Sequence, residues 1–142
     1  MARAGCQAIC FGVESGNQEV LDLIKKHSSL ANVKNAMRMA QDAGICALAS
    51  FIVGLPGQKL SDLGASLKLA GTLPLRGCSV SPFIPGEDTP LGGQPEANVD
   101  WTLNCMAALR LMRPDWVIPA VSALNLADHE GYRRGLRAGA NL

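Results

Sequence analysis

The segment Ile45-Cys-Ala-Leu-Ala-Ser-Phe-Ile-Val-Gly-Leu-Pro-Gly57 decides the fold class. Its first nine residues are almost continuously apolar, which is typical of a strand that is buried within a parallel sheet. A Gly-Leu-Pro-Gly turn follows, and Leu60–Gly71 then has leucines at positions 60, 63 and 67, the spacing of one helix face. A buried strand that leads through a short turn into an amphipathic helix predicts one βα unit.

The same order of strand and helix recurs on both sides of this unit. Strands are predicted at Gln7–Val13, Ile45–Val53, Cys78–Phe83 and Trp116–Val121, and helices at Gln18–Lys26, Leu30–Ala43, Leu60–Gly71, Val99–Met112 and His129–Ala138, the last one capped by Asp128. This alternation predicts an α/β fold of parallel βα units with helices covering the sheet. Four units are too few to close an eight-stranded barrel, so we expect either part of a barrel or a small open sheet complete in itself.

Composition restricts the partners and the location. The chain has 142 residues, with 13 basic and 12 acidic side chains and no cluster of one sign, so neither nucleic acid nor an anionic membrane is an expected partner. The longest apolar run is interrupted at Ser50 and Gly54 and is too short to span a bilayer, which favours a cytoplasmic location. The five cysteines are odd in number and lie mostly in apolar runs, which indicates reduced thiols, and no ligand spacing indicates a metal site in this chain.

Unusual residues follow the first two predicted strands, where parallel βα folds place their chemistry. Glu14 comes directly after the first strand. Its carboxylate is suited to accept hydrogen bonds from a vicinal diol such as a ribose, or it caps the next helix together with Ser15. The glycines of Gly54–Gly57 either allow the backbone to approach a flat ligand closely or simply form a tight turn.

Two further segments have open interpretations. The loop Pro82–Pro90 contains three prolines and is therefore stiff. It either walls one side of a pocket, with Asp88 and Thr89 at the mouth, or is a rigid surface loop. Lys25, Lys26 and His27 end the first predicted helix, where the helix dipole favours cations with or without a ligand.

Taken in order, several motifs resemble one enzyme family. They are Phe11-Gly-Val-Glu-Ser-Gly-Asn-Gln-Glu-Val-Leu21 with Lys25-Lys26, Ser50-Phe-Ile-Val-Gly-Leu-Pro-Gly-Gln58, Ser81-Pro-Phe-Ile-Pro-Gly-Glu-Asp-Thr-Pro-Leu91, Ile118-Pro-Ala120 and Gly135-Leu-Arg-Ala-Gly-Ala-Asn141. This series resembles the C-terminal part, about strands four to seven, of the TIM-like partial barrel of radical S-adenosylmethionine (SAM) enzymes. The branch that it resembles contains biotin synthase, HydE and PylB, and the likeness is greatest to the HydE-like group.

The resemblance implies roles for individual positions. Glu14 would hold the SAM ribose or amino end, with Ser15 beside it, and Lys26 would face the methionine carboxylate. The adenine would be flanked by Ile52, Val53 and Gly54 and would meet the backbone of Ser81, Pro82 and Phe83. The residues implied to lie toward the substrate chamber are Asp88, Thr89 and Ser122.

A complete enzyme of this family would reduce SAM from a [4Fe–4S] cluster and form a 5′-deoxyadenosyl radical that acts on a small-molecule substrate, in cofactor or vitamin-type biosynthesis or in maturation. The family's Cys-x3-Cys-x2-Cys loop and Gly-Gly-Glu segment have no match in this chain. Residues 1–142 are therefore expected to be a single incomplete domain that lacks the cluster-binding N-terminal part, is inactive alone and has the missing half or a partner subunit as its complement. The alternatives are a SAM- or nucleotide-binding module or split-enzyme subunit without a catalytic role, and a plain α/β structural fragment.

Overall fold

A parallel sheet with the strand order β1-β2-β3 organises the molecule, and the computed structural model describes all of residues 1–142. The strands are β1 (Ala8–Glu14), β2 (Cys46–Val53) and β3 (Leu75–Pro82), and the helices are α1 (Gln18–Leu23), α2 (Leu30–Asp42), α3 (Leu60–Thr72), α4 (Val99–Met112), α5 (Ser122–Ala127) and α6 (Gly131–Arg137), after a single 3₁₀ turn at Ala2–Ala4. The predicted α/β class with parallel βα units is confirmed.

The two faces of the sheet differ in burial because the helices pack on one of them. In β2 the residues Ala47, Ala49, Phe51 and Val53 are buried, and they join the core that α2, α3 and α4 complete. The alternate residues of the same strand, among them Leu48, Ser50 and Ile52, are half-buried on the opposite face. We call this second face the open face.

The predicted fourth strand, Trp116–Val121, is wrong as a strand. The segment lies parallel to β3 but forms an isolated bridge between Val117 and Gly77, in which Val117 accepts a hydrogen bond from Cys78 and donates one to Arg76. The ladder stops there because the next residue that faces β3 is Pro119, which has no N–H to donate.

On the side away from β3, the segment around Val117 is bonded to the last two residues of the chain. The backbone N–H of Asn141 donates to Ile118 (2.8 Å), and Ala120 donates to Leu142 (2.7 Å). The side chain of Asn141 adds two bonds, one from the Ile118 N–H (2.8 Å) and one to the Trp116 carbonyl (3.1 Å). The segment therefore occupies the position of a fourth parallel strand although its ladder is short.

The helices agree with the sequence prediction at α4 and differ from it near the C-terminus and at α1, which ends at Leu23 and so excludes Lys25, Lys26 and His27. Helix α4 has the predicted bounds, whereas α5 was not predicted and the last helix begins at Gly131. Asp128 is not its cap: the carboxylate of Asp128 accepts from the Glu130 N–H and pairs with Arg134, and Glu130 stands at the N-cap. No helix combines the length and the apolar content that crossing a bilayer requires.

Candidate functional site

A partly exposed ion pair lies at the end of β1, over the open face. Lys26 Nζ is 2.8 Å from Glu14 Oε1, and the two side chains are 35% and 17% exposed. A Cβ at Gly12 would lie 2.6 Å from that carboxylate oxygen and 3.1 Å from the ammonium nitrogen. Gly12 pairs with Ser50 across the sheet, so its missing side chain would point to the open face, and the ion pair occupies that space.

Hydroxyl groups continue from this ion pair across the open face. Ser50 pairs with Ser79 on β3, and Ile52 pairs with Ser81. All four side chains are half-buried, and the Ser79 hydroxyl makes one long bond of 3.5 Å to the Ala49 carbonyl. The ion pair and the three serines form a polar band that remains accessible to a ligand.

The loop after β1 is fastened to α3 by polar contacts. Gly16 donates its N–H to the hydroxyl of Ser66 (2.8 Å), and Asn17 Nδ2 donates to Asp62 Oδ1 (2.8 Å). The side chain of Ser15 is fully buried and accepts from the Asn17 N–H (3.2 Å), so Ser15 lies beneath the site surface. The helix cap is Asn17, whose Oδ1 accepts from Glu19 (2.9 Å), and neither Glu14 nor Ser15 has that role.

Asp62 is the ionised centre of this fastening. Its second carboxylate oxygen accepts from the Lys59 N–H at the start of α3 (2.7 Å). The pKa of Asp62 is held below its ordinary value, first by the Lys59 N–H and then by the Asn17 amide, because both bonds favour the charged carboxylate. The side chain is buried and remains an anion at neutral pH.

The end of β2 lies next to the ion pair, and β3 follows as the next strand of the sheet. Ile52 and Ser81 pair with each other on the open face, whereas the side chains of Val53 and Pro82 are buried on the helix-covered side. Val53 and Pro82 can therefore meet a ligand through their backbone. The Phe83 N–H already donates to Val53 (2.8 Å), and its carbonyl accepts from Ala97 (3.0 Å), which draws the loop across the ends of the strands.

Of the three residues predicted to face substrate, Asp88 and Thr89 share one exposed loop, and Ser122 lies on a different element, helix α5. Asp88 is exposed and has a left-handed backbone (φ 57°), and the Thr89 hydroxyl donates to Gly86 within the same turn (2.8 Å). Thr89 lines a cleft of about 340 Å³ with Phe83 and the end of α1. Ser122 is exposed at the first turn of α5.

The cysteines divide into accessible and buried thiols. Cys10 and Cys46 are exposed and Cys6 is partly exposed, whereas Cys78 and Cys105 are buried. Burial raises the pKa of Cys78 to about 12 and that of Cys105 to about 11. No group of three or more His, Cys, Asp or Glu side chains converges to hold a metal ion, so the donor set of this chain does not fit an iron–sulfur cluster.

Sequence reasoning missed Gln58, Asp62 and Ser66. The carboxamide of Gln58 binds the backbone at the end of β2, and the two other side chains fasten the β1 loop. Asp62 stands three residues after the N-cap of α3, a position at which an acidic residue commonly binds back to the cap, and this signal was available in the sequence.

The chain is similar to radical SAM proteins. A model of the radical SAM superfamily matches residues 1–70. The [FeFe] hydrogenase maturase subunit HydE of Thermotoga maritima is 30% identical over 139 residues, which are 98% of this chain and 40% of that protein. The 3-methylornithine synthases of Methanosarcina barkeri and Methanosarcina acetivorans are 29% and 30% identical, over 97% and 91% of this chain and 39% and 36% of their own lengths. The chain thus spans about two fifths of the length of these curated relatives.

Proposed function

Because the chain belongs to the radical SAM superfamily, in the branch that includes HydE and 3-methylornithine synthase, we propose that it supplies the C-terminal, SAM-facing part of a radical SAM enzyme. The complete enzyme would cleave SAM to a 5′-deoxyadenosyl radical during the maturation or biosynthesis of a cofactor. Residues 1–142 would form one incomplete barrel domain that is inactive without its cluster-binding complement.

The ion pair of Glu14 and Lys26 carries this proposal. Both groups lie over the open face at the C-terminal end of β1, the edge at which parallel βα folds bind ligands. SAM has an ammonium and a carboxylate in its methionine part and a diol in its ribose. Lys26 would pair with the carboxylate, and Glu14 would accept from the ammonium or the diol, while Ile52 would contact the adenine.

The rest of the molecule supports the binding of a partner along β1. The outer edge of β1 has no neighbouring strand, and Cys10 and Ile52 on the open face are exposed or half-buried. A strand with unpaired N–H and C=O groups is a template for another strand. We propose that this edge is where the cluster-binding half would pair, and that in its absence the chain associates with itself.

Calorimetric titration of the chain with SAM tests the proposal, because binding needs no cluster and no turnover. We expect the substitutions Glu14→Gln and Lys26→Met each to lower the affinity about tenfold, as the loss of one charge-assisted hydrogen bond predicts. Lys34→Met is the matched control, since Lys34 is exposed on α2 and lies near the N-terminal end of β3, opposite the edge that carries the ion pair. Equal affinities for all four proteins would refute the assignment of this ion pair.

Anaerobic reconstitution with iron and sulfide tests the missing cluster site separately. We expect no stable four-iron absorption from this chain, because its thiols do not converge. A stable cluster would contradict the incomplete-domain proposal and would show that the cysteines are arranged differently.

A further inference from the structure

Two backbone groups of β2 lose their strand partner at the candidate cofactor site. The pairing of β1 with β2 becomes irregular between Gly12 and Glu14, and Glu14 adopts a left-handed backbone (φ 65°) that turns the chain away. Val53 uses its carbonyl toward β3, so the neighbouring groups of Ile52 and Gly54 face the side that β1 has left. A carbonyl and an N–H are thereby left without strand partners.

The side chain of Gln58 takes the place of the missing strand. Its Oε1 accepts hydrogen bonds from the N–H groups of Gly54 (2.7 Å) and Leu55 (3.3 Å), and its Nε2 donates to the Ile52 carbonyl (3.4 Å). Gln58 is half-buried, so these bonds are partly shielded from water. One carboxamide satisfies the Ile52 carbonyl and the Gly54 N–H that the bend at Glu14 leaves free, and it also accepts from the Leu55 N–H.

This arrangement needs a side chain that accepts and donates at the same time. A carboxamide has an acceptor oxygen and a donor NH₂ group in one plane, whereas a carboxylate has acceptors alone and an aliphatic side chain has neither. A carboxylate at position 58 would still accept from Gly54 but would place a negative oxygen against the Ile52 carbonyl. A protonated carboxyl group would restore both functions.

We propose that Gln58 is a positioning residue of the cofactor site. Its carboxamide fixes the backbone of Ile52–Gly54, against which the adenine of SAM would lie, and allows Glu14 to keep the bend that places its carboxylate over the open face. The inference rests on the proposed function for its ligand, and it rests on the three hydrogen bonds of Gln58 for its mechanism.

The pH dependence of SAM binding by Gln58→Glu tests this role. We expect this variant to bind like the unsubstituted chain at a pH where the new carboxyl is protonated, and about tenfold more weakly at neutral pH. The Gln58→Leu variant should bind SAM more weakly by a similar factor at every pH. The control is Gln41→Glu: its affinity for SAM relative to that of the unsubstituted chain should not change with pH, because Gln41 is exposed on α2. A Gln58→Glu variant that binds SAM as tightly as the unsubstituted chain at every pH would overturn the proposal.

Amide hydrogen exchange in the ligand-free chain separates this inference from the proposed function. Gln58→Leu should accelerate exchange at Gly54 at least tenfold and leave Phe83 unchanged, because the Phe83 N–H bonds to Val53 on the other side of β2. If the unsubstituted chain does not bind SAM, the proposed function fails while accelerated exchange still supports the bracing by Gln58. Unchanged exchange at Gly54 would refute the role of Gln58 whatever the binding result.

Discussion

Substituting Gly16 by alanine should destabilise the chain strongly, because the β1 loop touches the backbone of α3 at this point. A Cβ at Gly16 would lie 2.6 Å from the carbonyl carbon and oxygen of Ala65 and from the Cα of Ser66. These atoms belong to a helix backbone and cannot rotate away, so the loop itself must move. Overpacking of this kind costs about 1–3 kcal/mol.

The same displacement removes a hydrogen bond. The Gly16 N–H donates to the Ser66 hydroxyl at 2.8 Å, and losing such a bond adds about 1 kcal/mol. The expected destabilisation is therefore about 2–4 kcal/mol, or about 6–12 °C in Tm at roughly 3 °C per kcal/mol for a chain of this length.

Denaturant unfolding followed by circular dichroism measures this effect, with Gly64→Ala as the matched control. Gly64 lies in the exposed part of α3, and a Cβ there meets nothing within 4 Å, so alanine should stabilise the helix by up to about 1 kcal/mol. The two substitutions make the same chemical change and should have opposite signs. A Gly16→Ala protein within about 0.5 kcal/mol of the unsubstituted chain would refute the contact of the loop with α3.

Three other measurements probe the surrounding structure. The pKa of Asp62 is lowered in the folded state, so its contribution to stability is present at neutral pH and lost as the pH falls through that lowered value. The Asp62→Asn variant should therefore show a smaller decline of the unfolding free energy between about pH 5 and 3. Identical slopes of unfolding free energy against pH in the variant and the unsubstituted chain would contradict this. Ellman's reagent at pH 8 should titrate three of the five thiols quickly and reach Cys78 and Cys105 after unfolding, and five fast thiols would disprove their burial. Arg110 donates to the carbonyls of Pro114, Trp116 and Gly139. The Arg110→Met substitution should therefore lower the free energy of unfolding by about 2–3 kcal/mol and accelerate amide exchange in residues 116–120 more than in the three strands. An equal acceleration in all these segments would count against this contact.

The sequence predicted most of the regular elements because their signals are local. Helix α4 has apolar residues at helical spacing, among them Leu103 and Met106, and ends shortly before Pro114, and its bounds were predicted correctly. The segment around Val117 has the composition of a strand, but it forms a single bridge to β3. Pro119 has no N–H to donate to β3, and this effect depends on a strand that is distant in the sequence. Helix α5 has six residues, too few for a periodic pattern to identify.

Part of the candidate site could be predicted from the sequence, and part depends on contacts between distant segments. The resemblance directed attention to Glu14 and Lys26, and the structure brings these two side chains together. The role of Gln58 could not be read from the sequence, because the groups that it binds become free through the left-handed backbone of Glu14. Because the need for a carboxamide at position 58 arises from the backbone conformation at position 14, no pattern in the neighbouring sequence indicates it.

The unequal burial of the two sheet faces separates two kinds of evolutionary change. Phe51 and its neighbours on the helix-covered face belong to the hydrophobic core, whereas Ser50, Ser79 and Ser81 are half-buried on the open face and lie outside that core. A mutation at one of these serines would alter the chemistry that a ligand meets and leave the core contacts intact. The same backbone can therefore diversify in the molecules that it accepts without first acquiring compensating substitutions elsewhere.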